Sequence, residues 1–231
     1  MAHVVRDLAR LLTVMLCMAG THCGHSYSRP GHGEHLMQSF LVSTGVVALA
    51  EIGDKTQLLS LILAARYRKP VPIILGILLA TLVNHAGAGG VGAWLSTALS
   101  PNILNWTVVA SFALMAGWIL IPDKLDEGEI VMPKRQMGVF ATTVFAFFLA
   151  EMGDKTQVVT IALAARFHDF LPVVAGTTLG MMLANVPVIY LGSRFADRLP
   201  TKAVHIVASL IFVVLGALAL TNAINGTPLL G

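Results

Sequence analysis

The chain has 231 residues, of which 56% are hydrophobic and only 12% charged, against about 25% charged in an ordinary soluble domain. That composition excludes a soluble globule and points to a membrane protein. The formal charge of +3 does not imply a nucleic-acid partner, because the excess Lys and Arg fall in short loops between apolar runs, where they report orientation. Cys17 and Cys23 are too few for a disulfide framework and lack a paired C-x-x-C metal signature.

Residues 1–36 read as a separate tail. Arg6 and Arg10 precede a short apolar stretch, Leu11 to Ala19, too short to span a bilayer and of the length of a signal-peptide core. His22, Cys23, His25, His32, Glu34 and His35 follow. A metal-collecting arm is one reading. A cleaved leader or upstream extension is the simpler one, with the working protein beginning near Met37.

With about 20 apolar residues per crossing, hydropathy then gives six spans, near Met37–Ala65, Val71–Thr97, Ile103–Ile121, Met137–Ala165, Leu171–Gly192 and Ala203–Ala223. An offset of 100 residues aligns the first three with the last three. Ala50 to Gln57 matches Ala150 to Gln157, Leu63 to Arg66 matches Leu163 to Arg166, and Pro72, Gly76 and Gly92 match Pro172, Gly176 and Gly192. Residues 37–121 and 137–231 are thus two transmembrane repeats joined by a linker, 122–136. An odd number of spans per repeat makes the second copy enter from the opposite side. The expected fold is an all-α membrane protein of six transmembrane helices in two inverted three-helix repeats, with any substrate site near the midplane at the repeat interface.

Loop charge sets the orientation. With the N-terminus outside, the inside loops hold Arg66, Arg68, Lys69, Lys124, Lys134, Arg135, Arg194, Arg198 and Lys202, and the outside loops hold only Arg166. The bias places both termini outside the cytoplasm and the linker within it.

Of the twelve acidic residues, four lie within the spans: Glu51, Asp54, Glu151 and Asp154, in two copies of a heptapeptide, Glu51 to Gln57 and Glu151 to Gln157. An ionised group at mid-bilayer costs about 2.5–3.5 kcal/mol on insertion scales, so four carboxylates with Lys55 and Lys155 call for a functional reason. On a continuous helix Glu51, Asp54 and Lys55 share one face, Thr56 points elsewhere and Gln57 lies one turn beyond Asp54. Gly53 and Gly153 permit close helix approach or a local break that turns a carbonyl toward a cavity.

Carboxylate and amide oxygens without sulfur suit a hard divalent cation such as calcium or manganese. Glu51, Asp54, Glu151, Asp154, Gln57 and Gln157 are the candidate ligands, and Lys55 and Lys155 balance charge. The empty site carries a net charge of −2, which one divalent ion or two protons would neutralise. Glu51 and Glu151 are the candidate proton carriers, since like charges held close together favour taking up a proton. The bland alternative is a set of buried acid–lysine pairs that only fix helix register. His85, aligned with Asn185 and next to Asn84, reads as a second-shell donor or a polar packing residue. Gly87, Gly89, Gly90 and Gly92 read as a close-packing surface.

The doubled E-x-G-D-K-T-Q motif in a six-span inverted repeat resembles the Gdt-type family of cation/proton exchangers, and the resemblance covers Met37 to the C-terminus. It implies exchange of manganese or calcium against protons, with the motif acids binding the ion, and no resident cofactor. The compact size resembles the bacterial members, which implies manganese export across the inner membrane. Three other readings stand beside it: a calcium/proton exchanger of the same fold, a channel, and a six-span exporter of a small organic solute. An intramembrane enzyme lacks support, with no H-E-x-x-H and no placed Ser/His pair. Partners are then the metal ion, protons and the bilayer. The oligomeric state is left open.

Overall fold

The structure is a computed structural model that describes residues 32–121, 138–191 and 201–225. The tail through residue 31, the linker Pro122 to Gln136 and the loop holding Arg194 and Arg198 lie outside the described residues, and with them most of the inside-loop charge. Eight helices are described: α1 His32–Glu51, α2 Lys55–Tyr67, α3 Pro70–Ala98, α4 Pro101–Trp118, α5 Val139–Glu151, α6 Lys155–Phe167, α7 Phe170–Leu191 and α8 Thr201–Asn225. Residues 32–36, assigned to the tail by sequence, continue α1.

Local sequence sets these boundaries. Pro70 and Pro101 open α3 and α4 at positions where the missing N–H costs nothing. Helices α2 and α6 end at Arg68 and His168, both left-handed (φ 51° and 57°), whose N–H groups return to the Ala64 and Ala164 carbonyls at 2.9 and 3.1 Å. These two caps are 100 residues apart, so the repeat extends to backbone conformation.

Three helices, Pro70–Ala98, Phe170–Leu191 and Lys202–Asn225, are long and apolar enough to cross a membrane. The pair α1 and α2 qualifies together, bent by 72° between its halves. Val139–Glu151 is a shorter apolar helix. The distribution of side chains suits lipid: Leu75, Val83, Trp94 and Leu183 are exposed while Glu51, Asp54, Glu151 and Asp154 are buried. Exposed apolar and buried charged groups reverse the soluble pattern.

The halves interlock. Helix α1 packs on α7, and its counterpart α5 packs on α3. A Cβ at Gly76 would come within 2.7 Å of Thr143 Cβ, and one at Gly176 within 3.0 Å of Ser43 Cβ. The same contact is thus made twice, by residues 100 apart. Gly89 meets Val174 and Phe170, and Gly92 meets Ile161 and Ala164, as a packing surface requires; Gly87 and Gly90 face no atom within 4 Å. One apolar core gathers Val47, Phe112, Met115, Leu163, Met181 and Phe212, and a second gathers Leu63, Ile73, Ile77 and Phe147. The two motifs lie in the helices that this interlocking brings together.

Candidate cation site

Each motif interrupts a helix. Helices α1 and α5 end at Glu51 and Glu151, α2 and α6 begin at Lys55 and Lys155, and the residues between turn the chain. Gly53 and Gly153 take φ of 85° and 79°, a left-handed conformation that costs an L-residue about 1–2 kcal/mol. Asp54 and Asp154 follow in extended N-cap geometry, with ψ of 166° and 167°. The Asp54 and Asp154 N–H groups donate to the Glu51 and Glu151 carbonyls, both at 3.1 Å. Gln57 and Gln157 brace the turns, their Oε1 atoms accepting from the Gly53 and Gly153 N–H groups at 3.0 and 2.8 Å. The break therefore has one geometry, built twice.

This break overturns the single-face arrangement expected of a continuous helix. Thr56, expected to point elsewhere, donates its hydroxyl proton to the Glu51 carboxylate at 2.5 Å, because the bend folds the start of α2 back over the end of α1. Lys55 pairs with Asp154 in the other repeat, Nζ to Oδ1 3.2 Å, and Lys155 with Asp54 at 3.5 Å. The Asp–Lys pairs of the bland reading exist, but they cross between repeats.

Among the described residues one group of acids could hold a metal ion: Glu51, Asp54 and Asp154 each offer a carboxylate oxygen within 4.8 Å of the others. Oxygens bound to one hard cation at about 2.0–2.6 Å lie no more than about 5 Å apart, so the spacing fits a single ion. All three residues are buried. Glu151 is buried as well but stands outside this group; Oε1 accepts from the Thr81 hydroxyl at 2.9 Å, and Oε2 has no hydrogen-bond partner among the described residues. Glu51 Oε1 is likewise without one. Two buried glutamates each keep an oxygen available for a proton or an ion.

The remaining candidates divide. Gln57 is engaged at both amide atoms, its Nε2 donating across the repeat interface to the Ala184 carbonyl at 3.0 Å. Asn185 accepts from Ser60 at 2.7 Å and donates to the Met181 carbonyl at 3.1 Å. The Asn84 amide donates to the Phe148 carbonyl at 3.2 Å. Both Asn residues therefore fasten helices to one another. His85 is buried, and neither ring nitrogen has a partner among the described residues. Sequence reasoning missed Thr56, although it stands in the doubled motif, and Thr81 and Ser60, whose only signal was a hydroxyl inside an apolar span. It also missed His205, whose Nε2 lies 2.7 Å from the Ile52 carbonyl oxygen.

An all-helical protein with membrane-length helices, in which two broken helices bring buried carboxylate oxygens together, has the arrangement of a membrane transporter for a hard cation. The sequence matches the family described as "Divalent cation/proton antiporter GDT1" over residues 39–127 and 139–227, and the chain belongs to that family. It is 52% identical over 191 residues to a Vibrio cholerae protein named "Putative manganese exporter", covering 82% of this chain and 94% of the relative. It is 27% identical over 198 residues to "GDT1-like protein sll0615" of Synechocystis, covering 77% and 94%, and 26% identical over 205 residues to "GDT1-like protein 3" of Oryza sativa, covering 78% and 73%. No solved structure matches the chain.

Proposed function

We propose that the protein exports manganese from the cytoplasm across the inner membrane in exchange for protons. In this reading α1–α2 and α5–α6 are two broken spans which, with α3, α4, α7 and α8, make six spans in two inverted three-helix repeats. The observation that carries it is the trio Glu51, Asp54 and Asp154, drawn from both repeats, with oxygens within 4.8 Å of one another. A site shared between inverted repeats changes its access when one repeat rocks against the other. The manganese assignment is supported by the named activity of the Vibrio relative and by an oxygen-only donor set.

Glu51, Asp54 and Asp154 take the ion. Glu151 completes the charge, and the two glutamates are the proton carriers. Lys55 and Lys155 serve as internal counterions for Asp154 and Asp54 while the ion is away. Gln57 and Gln157 each commit one lone pair of Oε1 to the Gly53 or Gly153 N–H, so their first role is to hold the breaks. Both termini face the periplasm and the linker the cytoplasm; exposed Arg66, Arg68 and Lys69 on the inner side, against a buried Arg166 on the outer, support that orientation.

The test is transport by the purified protein in proteoliposomes with a trapped pH dye, challenged in turn with manganese, calcium, magnesium and zinc. Proton movement evoked by manganese in preference to the others is expected. Movement evoked by calcium alone would reassign the cargo, and movement without any metal would point to an organic solute.

A further inference from the structure

Ile52 belongs to neither half of the first broken span, since α1 ends at Glu51 and α2 begins at Lys55. A backbone carbonyl released by such a break needs a partner where no water can supply one. Here it comes from the last helix: His205 Nε2 lies 2.7 Å from the Ile52 oxygen. A carbonyl can only accept, so Nε2 carries the proton.

Helix α8 is itself fastened. One turn on from His205, the Ser209 hydroxyl donates to the Ala116 carbonyl of α4 at 2.7 Å, and Phe212 packs on Phe112 with ring centroids 6.2 Å apart. One side of α8 therefore grips α4 and the break together. The gripped carbonyl sits between Glu51 and Asp54, two of the three acids in the trio, beside a glycine whose backbone would otherwise rotate easily. The residue aligned with His205, 100 positions earlier, is Asn105, buried on α4, so the repeat does not carry the imidazole twice.

We propose that His205 is a positioning residue for the cation site: by holding the Ile52 carbonyl, it fixes the separation of the Glu51 and Asp54 carboxylates and so sets the affinity for the divalent ion. The proposal rests on the reading that these acids bind the transported ion. It assigns His205 no contact with the ion or with a transferred proton.

The test compares the manganese dependence of proton flux in proteoliposomes for the parent protein, His205→Ala, His205→Phe, His205→Gln and Ser209→Ala. Losing the grip should raise KM about tenfold in His205→Ala and His205→Phe, the effect of one buried hydrogen bond, with maximal rate within about twofold of the parent. His205→Phe keeps the ring's bulk, so a packing defect in the Ala variant does not decide the outcome. Gln can present an amide N–H where Nε2–H stood and should bring KM back to within about threefold of the parent. Ser209→Ala loosens the hold of α8 on α4 but keeps the His205–Ile52 hydrogen bond, and should raise KM less than His205→Ala does; an equal rise would overturn the assignment to His205. An unchanged KM in both His205→Ala and His205→Phe would overturn the proposal, as would a fall in maximal rate alone or a Gln variant no better than Ala. A parent protein with no metal-evoked proton flux would instead overturn the transport reading.

Discussion

Lys55 Nζ lies 3.2 Å from Asp154 Oδ1, and the reciprocal pair, Lys155 to Asp54, closes at 3.5 Å. Each lysine thus neutralises the aspartate of the opposite repeat. The two pairs differ in shelter, with Lys55 20% exposed and Lys155 3%. Removing one partner of a buried pair costs about 3–5 kcal/mol because the other charge is left stranded, while a partly wet pair costs much less. Lys155→Ala should therefore lower the unfolding temperature in detergent more than Lys55→Ala does. Added manganese should recover part of the loss, since the ion can take over the role of counter-charge for Asp54. Equal destabilisation, or no recovery with metal, would mean the pairs are not counterions of the site.

Glu51 and Glu151 are equivalent in sequence but not in place, since only Glu51 joins the trio with Asp54 and Asp154. Both Glu51→Gln and Glu151→Gln should abolish exchange, because an amide keeps the shape yet carries neither charge nor a transferable proton. Equilibrium manganese binding should separate them, falling further in Glu51→Gln than in Glu151→Gln. Transport at the parental rate in either variant would show that the acids have been misassigned.

The doubled heptapeptide and the 100-residue offset were legible in the sequence, because each is a pattern of residue types; of the four glycines read as a packing surface, Gly89 and Gly92 pack closely and Gly87 and Gly90 do not. What was not legible depends on the path of the backbone. Three residues of break re-aimed Thr56 onto Glu51 and sent Lys55 across to Asp154, where helical periodicity placed Lys55 over Glu51. Thr81, Ser60 and His205 act from distant helices, and no spacing along the chain connects Ile52 to a histidine 153 residues later. Glu151 differs from Glu51 only through its neighbours, and Thr81 has Met181 as its aligned residue in the second repeat. Near-symmetry of sequence thus concealed an asymmetric site.

Gly153 has φ of 79°, and a Cβ there would meet no atom within 4 Å. The cost of Gly153→Ala is therefore one of backbone conformation, about 1–2 kcal/mol. Gly153→Asn should be tolerated better than Gly153→Val, since asparagine visits the left-handed region more readily and a β-branched residue does not. Gly76→Ala should fail for the opposite reason, driving a methyl against Thr143 Cβ at 2.7 Å. Unfolding temperature and transport rate together would check this order, and a Val variant as active as the Asn variant would refute it.

The proposed orientation puts the linker in the cytoplasm, because the inside loops collect nearly all of the loop Lys and Arg. A Glu127→Cys variant, with Cys17 and Cys23 replaced by serine, should stay unlabelled by a membrane-impermeant thiol reagent in intact cells and label once the cells are opened. Labelling in intact cells would reverse the orientation.

The proposed site, with two lysines against four acids, carries a charge that predicts what should drive the cycle. A carrier that leaves a net charge of −2 in the bilayer interior is held back by the cost of uncompensated charge, and one divalent ion or two protons remove that cost. The proposed exchange of one ion for two protons then moves no net charge. One unit of pH difference supplies about 1.4 kcal/mol per proton, hence about 2.7 kcal/mol per ion and roughly a hundredfold metal gradient. A membrane voltage should supply nothing, whereas an exchange of one ion for one proton would gain or lose about 2.3 kcal/mol per 100 mV. Vesicles acidic inside should therefore accumulate manganese from a neutral medium at zero voltage. Vesicles at equal pH with a potassium diffusion potential should not. Accumulation that followed the voltage in the second case would exclude two-for-one exchange; with no counterflow of protons it would favour a channel or uniporter, and with one it would mean one-for-one exchange.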